Sequence, residues 1–164
     1  MVVPFQEMPP EARVWIYQAD RKFTREQQEL IETEAASFIE RWTAHGEKLK
    51  GAFSIFYDRF LIISVDESFN QASACSIDSS VHFIKELESK LELNLLDRQI
   101  AILKKNGTDK PEVELEPLPS IRQKINVGYI DGNTIIFNNT VTNKKDFISQ
   151  WEVEAKNSWM AKYF

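Results

Sequence analysis

The stretch Phe60-Leu61-Ile62-Ile63-Ser64-Val65-Asp66 runs into Glu67-Ser68-Phe69-Asn70-Gln71-Ala72-Ser73-Ala74-Cys75-Ser76-Ile77-Asp78-Ser79-Ser80-Val81-His82. Residues 60–65 are almost wholly apolar, as expected of a central strand covered on both faces. Small and polar residues then form a loop. Ser76, Asp78 and Ser79 are types that helix N-termini recruit as caps, so a helix opens here. Ile77, Val81, Ile84, Leu87, Glu88 and Leu91 fall on one side of it, and all but Glu88 are apolar. The stretch holds the only cysteine and one of two histidines.

Working back toward the start, residues 49–57 alternate with Phe53, Ile55 and Tyr57 on one side. Asp58-Arg59 is a connection short enough for a hairpin into residues 60–65. Thr24 opens an earlier helix, with Gln27 completing a capping box. Leu30, Ile31, Ala35, Phe38, Ile39 and Trp42 give that helix one apolar face, and Gly46 is its expected stop. His45 is placed in its last turn, as a C-terminal cap residue. Arg13 to Ala19 is rich in β-branched and aromatic residues and reads as a strand. Residues 1–12 carry Pro4, Pro9 and Pro10 and read as an extended lead-in.

Downstream, residues 99–103 read as a fourth strand. The order strand, helix, strand, strand, helix, strand predicts an α+β protein with a ferredoxin-like β-α-β-β-α-β sandwich. Its boundaries are 1–105, with a C-terminal α/β extension over 106–164. In that extension Asn106-Gly107 marks a loop. Val113 and Leu115 alternate with glutamates. Pro119 starts a helix through about Val127 that Gly128 closes. Residues 134–137 form a strand, and Thr142 or Asn143 caps a helix carrying Phe147, Ile148 and Trp151.

A chain of 164 residues with 43% hydrophobic content can fold around its own core without disulfides or metal. The single Cys75 fits a reducing, cytoplasmic setting. No apolar run approaches the length of a membrane helix, and no signal-peptide pattern opens the chain. The net charge of -5 and the scattered lysine pairs Lys48/Lys50, Lys104/Lys105 and Lys144/Lys145 argue against nucleic-acid binding.

Several motifs are missing from the sequence. There is no Gly-x-x-x-x-Gly-Lys-Ser/Thr phosphate loop, no Gly-x-Gly-x-x-Gly and no Gly-x-Ser-x-Gly elbow. Two histidines and one cysteine without close spacing make no zinc set. No cofactor is expected. Cys75, Asp78 and His82, spaced i, i+3 and i+7, fall within about 60° of one another on a helix. A thiol near a helix N-terminus with a histidine base and an orienting aspartate is a candidate catalytic set. The competing reading makes the serines and Asp78 caps and Cys75 a buried small hydrophobe, and places His82 on a solvent face, where no cover excludes water. Asp66 and Glu67 form a candidate carboxylate pair, more simply read as solvated loop residues. Trp15, Tyr17, Trp42, Trp151 and Trp159 exceed what one small core needs. Of these, Trp15, Trp151 and Trp159 are the candidate interaction residues.

Ala12-Arg13-Val14-Trp15-Ile16-Tyr17-Gln18-Ala19, Cys75-Ser76-Ile77-Asp78-Ser79-Ser80-Val81, Phe137-Asn138-Asn139, Trp151 and Ser158-Trp159 resemble a family of uncharacterised bacterial proteins of about this length. Its members often carry the label "ABC transporter ATPase". This chain lacks the nucleotide-binding motifs of that label, so the activity is not carried over. The segment from Gly128-Tyr129-Ile130 to Trp151 also resembles small bacterial modules related to GYF domains, which implies protein interaction. The expected function is a protein-binding module, with a protein partner or a second copy of itself. The alternatives are a thiol-dependent enzyme using Cys75, Asp78 and His82, and a small-molecule binder between sheet and extension.

Overall fold

The computed structural model describes residues 1–105 and 110–164. The loop expected at Asn106-Gly107 lies outside the described residues. The chain is α+β, with helices and antiparallel sheets. It divides into two compact units, Met1–Asp97 with Thr142–Phe147, and Arg98–Val141 with Ile148–Phe164. The division therefore falls after Asp97, not after residue 105, and a short later segment belongs to the first unit.

The first unit contains β1 (Arg13–Gln18), α1 (Arg25–Arg41), β2 (Thr43–Ala44), β3 (Glu47–Lys48), β4 (Lys50–Phe56), β5 (Phe60–Asp66) and α2 (Ala74–Leu91). Its main sheet has the antiparallel order β1-β5-β4. Every residue of β5 is buried, which accounts for its unbroken apolar run. Leu61, Ile63 and Val65 join one core with Ile31, Ala35, Phe38 and Ile39 of α1 and with Phe83, Ile84, Leu87 and Leu91 of α2. On the opposite face Phe60 and Ile62 are buried, and Phe56 meets Phe5 and Phe147 edge to face at 6.2 and 5.2 Å. Burying each large apolar side chain of β5 contributes about 1.5–3 kcal/mol.

The capping box of α1 forms as the sequence predicts. The Gln27 amide donates to Thr24 Oγ1 at 3.1 Å, and the Thr24 amide donates to Gln27 Oε1 at 2.8 Å. The helix ends earlier than expected, with Trp42 rather than Gly46 at its C-cap. His45 (φ 55°) and Gly46 (φ 79°) instead form the left-handed turn of the β2–β3 hairpin. A two-residue hairpin turn of this hand favours glycine at such a position. Tyr57 and Asp58, both at positive φ, make the β4–β5 turn, which the Arg59 amide closes on Phe56 O at 3.1 Å.

The second unit contains β6 (Ile100–Lys104), β7 (Glu112–Glu116), α3 (Ile121–Asn126), β8 (Ile135–Phe137) and β9 (Glu152–Glu154). They form an antiparallel sheet ordered β7-β6-β8-β9, a strand more than expected. Gly128 (φ 78°) ends α3 with its amide donating to Ile125 O at 3.0 Å. Ile102, Ile121, Ile130, Ile136, Ala155 and Met160 form the core.

A ferredoxin-like sandwich would need β6 in the first sheet. It pairs with β7 and β8 instead. The outer edge of β1 is met at one end by Asp97, whose amide donates to Gln18 O at 3.1 Å, and at the other by Thr142, whose carbonyl accepts from Val14 at 3.0 Å. Helix α4 (Lys144–Gln150) follows, capped by Asn143, whose Oδ1 accepts from the Asp146 amide at 2.8 Å. Residues 144–147 of it belong to the first unit. Lys144 is buried there, and its Nζ donates to the carbonyls of Phe5, Gln6 and Met8 at 3.1, 3.0 and 2.7 Å.

Candidate functional site

The loop between β5 and α2 is bracketed by side chains. Asp66 Oδ1 accepts from the Ser68 amide at 3.0 Å and from its hydroxyl at 2.6 Å. Glu67 Oε2 accepts from the Ala72 amide at 2.9 Å, and Arg13 Nε stands 3.6 Å from Glu67 Oε1. Asn70 Nδ2 donates to the carbonyls of Ala44 and Glu47, both at 3.1 Å, tying the loop to the β2–β3 hairpin. These carboxylates are therefore loop supports. The Ser68 hydroxyl is the main reason the Asp66 carboxyl is held below its ordinary value. The Ser68 amide and Lys50 add to this, against an opposing desolvation. At the centre of the bracketed loop Phe69 is 90% exposed.

Helix α2 opens with a second capping box. The Ser76 amide donates to Ser73 Oγ at 3.1 Å, and the Ser73 amide donates to Ser76 Oγ at 2.7 Å. Cys75 occupies the second helical position with its thiol exposed. The buried face is Ser76, Ser80, Phe83, Ile84, Leu87 and Leu91, while Val81 is largely exposed, so the expected Ile77/Val81 stripe is rotated. The reason is packing at the helix start. Trp42 Nε1 donates to Ser76 O at 2.9 Å, and Tyr17 bonds the Ser80 hydroxyl. Small side chains at 76 and 80 admit these two rings. Burial pushes the Tyr17 phenol up to about 12, with the Ser80 bond opposing.

Asp78 and His82 are exposed and line an open groove with Phe38, Arg41, Ser79, Phe83 and Glu86. Its floor is the stacked pair Phe38 and Phe83, 4.5 Å apart. Cys75 is not among the lining residues. Among the described residues no hydrogen bond or ion pair joins Cys75, Asp78 and His82 to one another; the Cys75 carbonyl accepts from Ser79 Oγ at 3.0 Å. The structure places the three on one exposed helix surface without assembling them into a hydrogen-bonded set.

The candidate interaction residues separate. Trp15 is half-buried against the first core, with the Arg13 guanidinium 4.8 Å over its ring. Trp151 is 3% exposed, its Nε1 donates to Asn139 Oδ1 at 2.9 Å and its ring packs on Phe137, so it is a buried residue rather than a presented one. Trp159 is 47% exposed beside Tyr163. The residue that sequence reasoning passed over is Phe69. Its signal was a lone aromatic inside a run of small polar residues, with no neighbour to bury it.

Among the described residues no group of three or more His, Cys, Asp and Glu side chains could hold a metal ion, and no helix is long and apolar enough to cross a membrane. No family model, curated protein or solved structure matches this chain.

Proposed function

We propose that the chain is a protein-binding module whose anchor is Phe69. The observation that carries this reading is a fully presented aromatic side chain on a loop whose backbone is pinned from three sides. Exposure alone is costly for a phenylalanine in water, and burying it in a partner's pocket recovers that cost. Pinning the loop beforehand lowers the ordering entropy lost on binding. The exposed, unpaired Cys75 supports a reducing, cytoplasmic setting.

The test is a photo-crosslinking phenylalanine analogue at position 69, with the same analogue at exposed Lys85 as control. A partner captured only at 69 is then purified and its affinity measured against wild type and Phe69→Ser. A loss of at least about tenfold, the scale of a hot-spot residue, supports the reading. Equal capture at both positions, or unchanged affinity in Phe69→Ser, removes it. A captured second copy of this chain assigns self-association.

Thiol chemistry at Cys75 is a second reading, favoured by the exposed thiol in the first turn of α2. If His82 and Asp78 assist the thiol, His82→Gln and Asp78→Asn slow its alkylation by iodoacetamide. Equal rates in all three proteins leave Cys75 a surface residue.

A further inference from the structure

The second unit holds a small pocket of about 350 Å³ lined by Arg122, Ile125, Asn126, Lys162 and Tyr163. Arg122, Ile125 and Asn126 are spaced i, i+3 and i+4 on α3, so they share one face of that helix. Lys162 and Tyr163 come from the 3-10 turn Trp159–Tyr163. Both elements are anchored from below. Ile121 is 1% exposed and Met160 is fully buried, and Ile125 and Tyr163 pack against the same core. The pocket therefore has a buried apolar floor beneath two exposed cationic side chains.

Charge sets this pocket apart from the ion pairs described elsewhere in the protein. The protein carries a net charge of -5, and many of its cations face carboxylates, such as Lys50 with Asp66, Lys90 with Glu34 and Lys124 with Glu116. Arg122 and Lys162 instead flank one aromatic ring, at 6.0 and 5.4 Å from the Tyr163 centroid, and no acidic residue lines the pocket. Arg122 and Lys162 thus place two positive charges on the lining of one pocket, where an anion can meet both. A guanidinium fork with a neighbouring ammonium matches the oxygens of a phosphoryl group. The Asn126 amide adds a neutral donor at the rim.

We propose that this pocket binds a phosphoryl dianion, either free phosphate or a small phosphate monoester. A nucleic-acid strand is disfavoured because the net negative charge of the chain would repel its backbone. Asn126 is the last residue of α3, at the carbonyl end of the helix, so the backbone dipole opposes the anion and the side chains must supply the attraction. Affinity is therefore expected to depend on Arg122 and Lys162.

The test is an NMR titration of the full chain, labelled with nitrogen-15, with inorganic phosphate and separately with glycerol phosphate. Sodium chloride at matched ionic strength is the control. The expected result is saturable shifts in the amides of 122–126 and 159–164 and in the Trp159 indole. Arg122→Ala weakens binding by about tenfold or more, the scale of charge-assisted hydrogen bonds, and Lys162→Ala by a smaller factor. Arg122→Lys retains the charge without the fork and falls between wild type and Arg122→Ala. Tighter binding of glycerol phosphate identifies a monoester; equal or tighter binding of inorganic phosphate identifies free phosphate. Identical shifts with chloride, or wild-type affinity in Arg122→Ala, overturns the proposal. Both side chains are exposed, so the variants keep the fold, and an unchanged melting temperature verifies this.

Discussion

A methyl group added at Gly51 would lie 2.7 Å from Ile39 Cγ2 and 3.3 Å from the Ser64 carbonyl oxygen. Helix α1 approaches β4 closely enough that only glycine fits at this point. Gly51→Ala is expected to destabilise the fold by about 1–3 kcal/mol through overpacking. Urea unfolding measures it. Ile39→Ala removes the obstructing methyl, so the double variant should lose less than the two single losses added together. Strict additivity would mean that the two sites do not touch.

Asn70 and Phe69 are neighbours with opposite expected behaviour. Asn70→Ala strips both carbonyls of the β2–β3 hairpin of their shared donor and should cost about 1–2 kcal/mol. Phe69→Ser touches an exposed side chain and should leave stability within about 0.5 kcal/mol. A thermal melt of each separates support from presentation. A large loss in Phe69→Ser would mean that the ring is structural after all.

Lys144 closes the first unit with three hydrogen bonds to the carbonyls of Phe5, Gln6 and Met8. Lys144→Met keeps most of the buried stem but orphans those acceptors. We expect a loss of about 3 kcal/mol, read as a lower urea midpoint. Faster proteolysis of the first ten residues should accompany it.

Stability should fall at alkaline pH. An unfolded tyrosine titrates near 10, whereas burial pushes Tyr17 up to about 12. The folded state thus holds this proton more tightly. The stabilisation is complete below about pH 10 and is lost as pH rises from about 10 toward 12. Tyr129, pushed up to about 12 chiefly because its hydroxyl donates to Glu114, adds to the same slope. Asp66 acts at the other end. Its lowered value stabilises the fold above about pH 4, and that contribution is lost as pH falls through the folded value. Urea midpoints across pH should flatten on the alkaline side in Tyr17→Phe and on the acid side in Asp66→Asn.

What the sequence reveals here follows the range of each interaction. The Thr24/Gln27 box is legible because both partners lie within one turn. The β5 strand is legible because burial on both faces leaves an apolar run. The destination of β6 is not legible, because Ile100 and Ile102 would suit either sheet and its partner on the other side, Ile136, is distant in sequence. The buried face of α2 is hard to read for a similar reason. Hydrophobic periodicity ranks Val81 above Ser80, but the rings of Trp42 and Tyr17 arrive from elsewhere and need the smaller residue. Helix spacing alone aligns Cys75, Asp78 and His82. It says nothing about whether anything encloses them. The sequence marks Phe69 only as a lone aromatic among small polar residues; the brackets from Asp66, Glu67 and Asn70 that hold its loop depend on the fold.

The return of Thr142–Phe147 to the first unit has a consequence for biosynthesis. A ribosome completes α2 and releases Asp97 while the edge of β1 beside Val14 still lacks the Thr142 carbonyl. The lead-in carbonyls of Phe5, Gln6 and Met8 likewise wait for Lys144. The first unit is therefore the first to begin folding and cannot finish until residue 147 has left the exit tunnel. A chain cut after Asp97 is not a shortened domain but an interrupted one.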